Sequence, residues 1–254
     1  MMTRDISVNQ LATAVMWWLS YSSAVGRDYV LSESAIKFPV AEYLERSRTD
    51  SIELEFGHPK LSRKRFDLFF KNEKNEKNVF EFKYIKNNST RSSDEKQRIF
   101  NDLMRLYLYL GNNKKHKGYF LICGNQLEFV SNFQTLILKP TGTNGNKFIT
   151  PMFRSKPSKK KKAEGFYTKW FSFETDNSKS KKIIDIKNAT GEYKTIYDNF
   201  MLEYKNPYKT KTNGKLKLPD NITTNLVFLS EDIKQQTGLY QPTKIGIWEI
   251  IKTI

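Results

Sequence analysis

The chain has 254 residues and carries 43 Lys and Arg against 27 Asp and Glu, a formal charge of +16 with a pI near 9.6. That balance marks a binder of polyanions, of which nucleic acid is the commonest, while 14% aromatic content with 18 Phe argues against disorder. No long apolar span is present to cross a bilayer. The single cysteine, Cys123, rules out a disulfide framework and a Cys-based zinc site and suits a reducing cytoplasm. Within YFLIC it reads as a small buried hydrophobe. The N-terminal MMTRDISVNQ has an acid ahead of its apolar part and no small-residue cleavage site, which is unlike a secretory signal.

In chain order, Leu11, Val15, Trp18, Leu19 and Ser22 recur at helical spacing over Val8 to Ala24, and Gly26 ends that helix. The paired Trp17 and Trp18 pack it onto the core or a partner subunit. LSESAIKFPVAEYLERS follows, with Ser32 as N-cap. At 100° per residue Glu33, Ile36, Val40 and Leu44 share a stripe and Glu42 lies opposite; Pro39 should bend or split this helix. IELEF, residues 52–56, alternates as a short strand. His58 reads as a loop residue or phosphate contact, and Lys60, Arg63, Lys64 and Arg65 form a basic cluster suited to neutralising a phosphate backbone.

RKRFDLFFKNEKNEKNVFEFKY reads as a strand from Arg65 to Lys71, a polar turn from Asn72 to Asn78, and a strand from Val79 to Ile85. Alternation puts Glu81 and Lys83 on one face and Phe80, Phe82 and Tyr84 on the other. Charges on such a strand are costly to bury without partners, and a divalent cation is one partner that prefers carboxylate oxygens. The plainer alternative is a solvated strand face on which Glu81 and Lys83 pair with neighbours.

Next comes a helix, DEKQRIFNDLMRLYLYLG, with Ile99, Leu103, Leu106 and Leu110 as its buried stripe. Gln97, Arg98, Asp102 and Arg105 lie on other faces, Arg98 and Asp102 forming an i,i+4 pair. HKGYFLICG is a buried strand and a candidate parallel partner of Val79 to Ile85, whereas Asn125 to Leu138 is ambiguous between helix and strand. From Lys139 the character changes: RSKPSKKKKAEG is a basic loop in which Lys159, Lys160, Lys161 and Lys162 are either simply solvated or track a phosphate backbone. GFYTKWFSFE, KKIIDIKN, TNLVFLS and KIGIWEII read as strands, with a helix near Ile196 to Tyr204. Phe166, Tyr167, Trp170 and Phe171 could stack bases, core packing being the simpler use. The expected division is a core over residues 1–138 and a β-rich basic extension over 139–254 that completes the sheet or clamps nucleic acid.

Asp67, thirteen residues, then Glu81-Phe82-Lys83 resembles the D-x(n)-E-x-K signature of the PD-(D/E)XK nuclease superfamily, which includes restriction endonucleases, archaeal Holliday-junction resolvases and many defence nucleases. The resemblance covers about residues 30–125, with Phe66 where the family often has Pro. It implies an α/β, restriction-endonuclease-like core with a mixed central sheet flanked by helices, and metal-dependent hydrolysis of phosphodiester bonds. On the matching positions, Asp67, Glu81, an upstream helical acid (Glu33 rather than Glu42) and the main-chain carbonyl of Phe82 would hold one or two Mg²⁺, with Mn²⁺ able to substitute. Lys83 would steady the attacking water or the phosphate oxygens, and Gln97 is the positional match for the polar residue the family often takes from the following helix. DNA is favoured over RNA as partner, with a homodimer or a defence-complex subunit as assembly states. The rival reading is a non-catalytic nucleic-acid-binding protein whose acids serve salt bridges. Nucleotide-cradling, nucleophile-elbow and dinucleotide motifs are absent, and two histidines, His58 and His116, make a His-metal nuclease remote.

Overall fold

The computed structural model describes residues 8–27, 31–46, 51–85, 92–137, 162–211, 216, 218–232 and 242–252. The strands are β1 (Ser51–Gly57), β2 (Arg65–Lys71), β3 (Lys77–Ile85), β4 (His116–Asn125), β5 (Thr135–Ile137), β6 (Lys162–Glu164), β7 (Lys181–Asp185), β8 (Asn221–Leu229) and β9 (Thr243–Ile251). The helices are α1 (Val8–Ala24), α2 (Glu33–Arg46), α3 (Ser93–Leu110), α4 (Gln126–Glu128, running on as a π-helix, Phe129–Gln134) and α5 (Gly191–Tyr204). Seven strands make one mixed sheet in the order β1-β2-β3-β4-β9-β8-β7, and β5 and β6 pair separately. β3 and β4 run parallel, joined through α3, with Glu81 opposite Phe120; the other pairs are antiparallel. β9 pairs with β4 directly, so the C-terminal strands complete the sheet.

The two faces are covered by different helices. Leu11, Val15 and Leu19 of α1 and Ile36, Val40 and Leu44 of α2 pack on Phe80, Phe82, Leu121, Cys123, Ile245 and Ile247. On the other face, Ile99, Phe100, Leu103 and Leu106 of α3 and Phe200 of α5 pack with Val79, Phe120, Trp170 and Trp248. Each such Leu or Phe contributes about 1.5–3 kcal/mol on burial. β3 therefore lies between two apolar layers, and Glu81 and Lys83 point into the layer of α3.

The expected helix over Val8 to Ala24 and the strand Arg65 to Lys71 form over those residues, and Gly26 closes α1 with φ 72°. Ser32 caps α2, its Oγ accepting from Ala35 N at 3.3 Å. α2 runs on through Pro39 rather than splitting there. The β2–β3 turn is tied by Asn72, whose Oδ1 accepts from Glu76 N at 2.9 Å.

Two expectations are corrected. Residues 166–169, expected within a strand, form a 3-10 helix; Tyr167, Trp170 and Phe171 bury on one side of that turn, so their spacing is helical rather than alternating. These aromatics pack in the core and do not line up as a base-stacking strand. His58 does lie in the loop after β1, but it is not a phosphate contact: it is fully buried, accepts at Nδ1 from Lys60 N and Leu61 N at 3.0 Å, and donates from Nε2 to Arg105 O at 3.1 Å.

That last bond belongs to a set of side chains gripping the C-terminal half of α3. Lys60 Nζ donates to Leu108 O at 2.7 Å, His116 Nδ1 to Tyr109 O at 3.2 Å, and Lys252 Nζ to Gly111 O at 2.9 Å. The last carbonyls of a helix lack helical partners and carry partial negative charge, which these groups satisfy. The other end is capped by Ser92 Oγ, accepting from Glu95 N at 3.2 Å. α3 is thus held at both ends over β3. Among the described residues no helix is long and apolar enough to cross a membrane.

Candidate functional site

β2 and β3 part at Asp67. Their ladder runs from Lys71 opposite Lys77 to Leu68 opposite Phe80, and there it stops. The Phe82 amide N–H, left without a strand partner, donates instead to Asp67 Oδ2 at 2.7 Å. β1 is disturbed at the same level. Leu54 pairs with Leu68 and Phe56 with Phe66, while Glu55 and Asp67 between them drop out of the ladder. Glu55 takes a left-handed backbone, φ 57°, which costs a residue with a Cβ about 1–2 kcal/mol. As a result Phe66 and Phe69 both face the α3 layer while Leu68 and Phe70 face α2, so alternation in β2 slips at Asp67.

Charged side chains from both helical layers meet in this gap. From α2, Lys37 reaches Asp67 Oδ1 at 2.9 Å and also pairs with Glu55. Lys83 Nζ binds Glu33 Oε2 of α2 at 3.2 Å and Glu95 Oε1 of α3 at 2.7 Å. Arg105 donates from Nε to Glu81 Oε1 at 2.8 Å and from Nη2 to Asp102 Oδ1 at 2.7 Å. Arg98 lies 3.7 Å from Glu95 at the rim. Six carboxylates, Glu33, Glu55, Asp67, Glu81, Glu95 and Asp102, share four cations, a local excess of negative charge in a chain of net charge +16.

Burial sets the ionisation of these groups. The Glu81 side chain is only 3% exposed. Desolvation pushes its pKa well above the usual carboxylate range, Arg105 pulls it back, and Asp102 and Asp67 add to the rise. Asp102 is raised by the same burial, against the pull of Arg105 and Lys83. Glu33 is raised by burial too, and its interactions with Lys83, Asp67 and Asp102 place it in the same field. Burial works against the Lys83 ammonium, but Glu33, Asp102 and Glu95 more than offset it and raise its pKa.

Of the residues expected from the sequence, Asp67, Lys83 and Glu33 enter this ion-pair network with Glu81, and Phe82 takes part through its amide N–H to Asp67 rather than through the carbonyl expected to hold a metal. Glu42 is exposed on the far side of α2. Gln97 does not join them: its Nε2 donates to Asn101 Oδ1 and Ile196 O, both at 3.0 Å, so it ties α3 to α5. The expected Arg98–Asp102 pair is replaced by Arg98–Glu95 and Arg105–Asp102. Of the basic cluster, Lys60 caps α3 and Lys64 pairs with Glu203 at 3.4 Å, while Arg63 and Arg65 are exposed. Lys159, Lys160 and Lys161 lie outside the described residues, as does the side chain of Lys162.

Lys37, Glu55, Glu95, Asp102 and Arg105 were not singled out as site residues. The helical wheel carries a partial signal for three of them, since Glu95, Asp102 and Arg105 at spacings of seven and three fall on one face of α3. Nothing local marks Lys37 or Glu55.

By its chemistry this oxygen-rich donor set fits a hard divalent cation. In geometry, no three His, Cys, Asp or Glu converge as a ligand cluster among the described residues.

Fold and site together define a class: an α/β protein with a seven-stranded mixed sheet, helices on both faces and a buried network of ion pairs where β2 leaves β3. No protein-family model, curated protein or solved structure matches the chain.

Proposed function

We propose that the chain is a metal-dependent endonuclease of the PD-(D/E)XK type, with a restriction-endonuclease-like core, hydrolysing phosphodiester bonds in DNA. The observation that carries this reading is the bond from Phe82 N to Asp67 Oδ2 at 2.7 Å. It sets Asp67 against the main chain of the Glu81-Phe82-Lys83 segment, which supports reading the two halves of the motif as parts of one site. The excess of carboxylate over cation around them supports a bound divalent ion.

In this reading Asp67 and Glu81 hold Mg²⁺ with water completing its shell, and Mn²⁺ substitutes. The ion supplies acidification of a water and compensation of the charge that builds on the phosphate. Lys83, kept protonated by Glu33, Glu95 and Asp102, presents an ammonium to an anionic oxygen. Glu33, the more exposed partner of Lys83 at 43%, orients that ammonium from the solvent side. Arg105 opposes the rise that burial imposes on the Glu81 pKa by compensating the carboxylate inside the fold.

One feature favours the rival reading, a nucleic-acid-binding protein without catalysis: Asp67 and Glu81 each already carry a cation, Lys37 and Arg105. Supercoiled plasmid and labelled single-stranded RNA, incubated with Mg²⁺, Mn²⁺ or EDTA, separate the two. Metal-dependent cleavage of plasmid by the wild type, lost in Asp67→Asn and Glu81→Gln variants that still bind DNA, supports the nuclease. Binding of DNA without cleavage of either substrate under any metal condition establishes the rival.

A further inference from the structure

We propose that the outward face of α1 is the contact through which two copies of this chain associate. The helix turns Leu11, Val15 and Leu19 onto the sheet, and Trp18 packs at the edge of that core. On the opposite side stand Trp17 and Tyr21, 71% and 60% exposed, followed by exposed Val25. Residues four apart are neighbours on a helix surface, so these three form one continuous ridge. Trp17 and Tyr21 alone leave about 300 Å² of aromatic surface in water. A contiguous apolar patch of that order is as large as a monomer commonly shows and is often a binding surface, and Trp and Tyr are the side chains that most often anchor one.

Charge and shape select the partner. α1 has no charged residue in its 17 positions, in a chain with 43 basic and 27 acidic side chains. Its face offers nothing to a phosphate backbone or to anionic headgroups, which are held through Lys and Arg. It fits a neutral, apolar partner, and α1 of a second copy is such a surface. Two of these ridges are also complementary in shape. The small side chains of Ala14, Ser20 and Ala24 flank Trp17 and Tyr21, leaving grooves that receive the ridge of the other copy, and interlocked rows of residues four apart cross at about −50°. Under a twofold axis each copy supplies both ridge and groove. The aromatic pairs of the two copies then remove about 600 Å² from water. Even with its flanking residues the contact stays below the roughly 1,600 Å² of a standard interface, so the dimer forms only at micromolar protein. The charge of +16 on each copy opposes it at low salt.

The contact is independent of the chemistry proposed at β2 and β3. Sedimentation equilibrium of the full chain, from about 1 to 200 µM, reads it directly. The mass should rise from 29.9 kDa towards twice that value, and more readily as salt screens the repulsion between copies. Trp17→Ser with Tyr21→Ser should weaken association by about tenfold or more, while Leu202→Ser, as exposed as Trp17 but on α5 across the sheet, should change it by less than about twofold. Circular dichroism checks that the variants keep the fold, and Tyr21→Ser alone serves if the double variant does not. Neutral phosphatidylcholine vesicles form the last arm. A monomer at every concentration overturns the proposal, as does a dimer that the serine variants leave intact. Vesicle binding that the double variant loses, by a protein otherwise monomeric, overturns it too and assigns the face to lipid.

Discussion

Arg105 on α3 donates to Glu81 on β3 at 2.8 Å, and Glu81 has almost no contact with solvent. The guanidinium also holds Asp102 at 2.7 Å, so one cation compensates two buried carboxylates. Glu81 lies on the α3 face of a strand otherwise packed with Val79 and Ile85, where Arg105 of α3 reaches it. The grip on the C-terminal half of α3 by His58, Lys60, His116 and Lys252 keeps that partner in register.

Removing the guanidinium should therefore be severe. Arg105→Met leaves Glu81 and Asp102 without their shared counter-ion, and breaking a buried pair from one side costs about 3–5 kcal/mol. Urea unfolding at neutral pH measures it as a lower midpoint. Replacing all three groups with apolar residues of similar size should recover most of the loss, because the penalty comes from the stranded charges. A triple variant as unstable as Arg105→Met would mean that Arg105 acts through packing instead.

Lys37 is expected to compete with a divalent cation for Asp67. Its ammonium stands 2.9 Å from Oδ1, and an opposite unit charge near 4 Å is worth a few kcal/mol at most at an intermediate effective dielectric. In Lys37→Met that competition is gone, and Mn²⁺ or Mg²⁺ should bind about tenfold more tightly, read by calorimetry or by metal-dependent thermal stabilisation. Asp67→Asn should abolish the difference. Unchanged metal affinity in Lys37→Met would place the ion away from Asp67.

The left-handed backbone of Glu55, φ 57°, makes a third expectation. Glycine adopts that conformation without a Cβ penalty and a β-branched residue does so at the greatest cost. Glu55→Val should be the least stable of the three, because branching at Cβ adds to the penalty Glu55 already carries, and Glu55→Gly should stay within about 1 kcal/mol of the wild type, since Glu55 is half exposed and its pairing with Lys37 is worth little by itself. Thermal unfolding of both variants checks the order. A more stable Val variant would show that β1 runs regularly through this position.

The sheet was legible because its strands are short apolar runs bounded by polar turns, and β2 and β3 with their Asn-rich turn announced the site. Asp67, Glu81 and Lys83 were readable for the same reason, since a charged residue inside an apolar run needs a partner. The identity of those partners was not. Lys37 sits on a helix that looks merely amphipathic, and it reaches Asp67 only because β2 kinks there. The kink coincides with the left-handed turn of β1 at Glu55, which lies opposite Asp67 by strand register rather than by nearness in sequence. Residues 166–171 misread as a strand because aromatic content signals β-structure, whereas their spacing suits a single helical turn. The basic cluster around Lys60 looked like a phosphate grip because a lysine donates alike to a phosphate and to a helix carbonyl.

The pH dependence of stability should carry the signature of His58. Desolvation lowers its pKa to about 4, with Arg105, Lys60 and Lys211 adding to the depression and the bond to the Arg105 carbonyl opposing it. The folded state thus resists protonating His58, and the unfolded state, titrating near the usual 6.5, binds more protons between those values. The contribution of neutral His58 is fully present above about pH 6.5 and is lost as pH falls towards 4, on the order of 3 kcal/mol across the window. Glu33, Glu81 and Asp102, with raised pKa values, act in the opposite direction: their protonation favours the folded state, so stability from them falls as pH rises. Comparison with His58→Gln, which cannot titrate, isolates the histidine. The stability gap between wild type and variant, measured by urea unfolding, should narrow steadily from about pH 7 to pH 5. A gap constant over that range would mean that His58 titrates normally in the fold and that neither its burial nor the bonds Nδ1 accepts from Lys60 N and Leu61 N hold the neutral form.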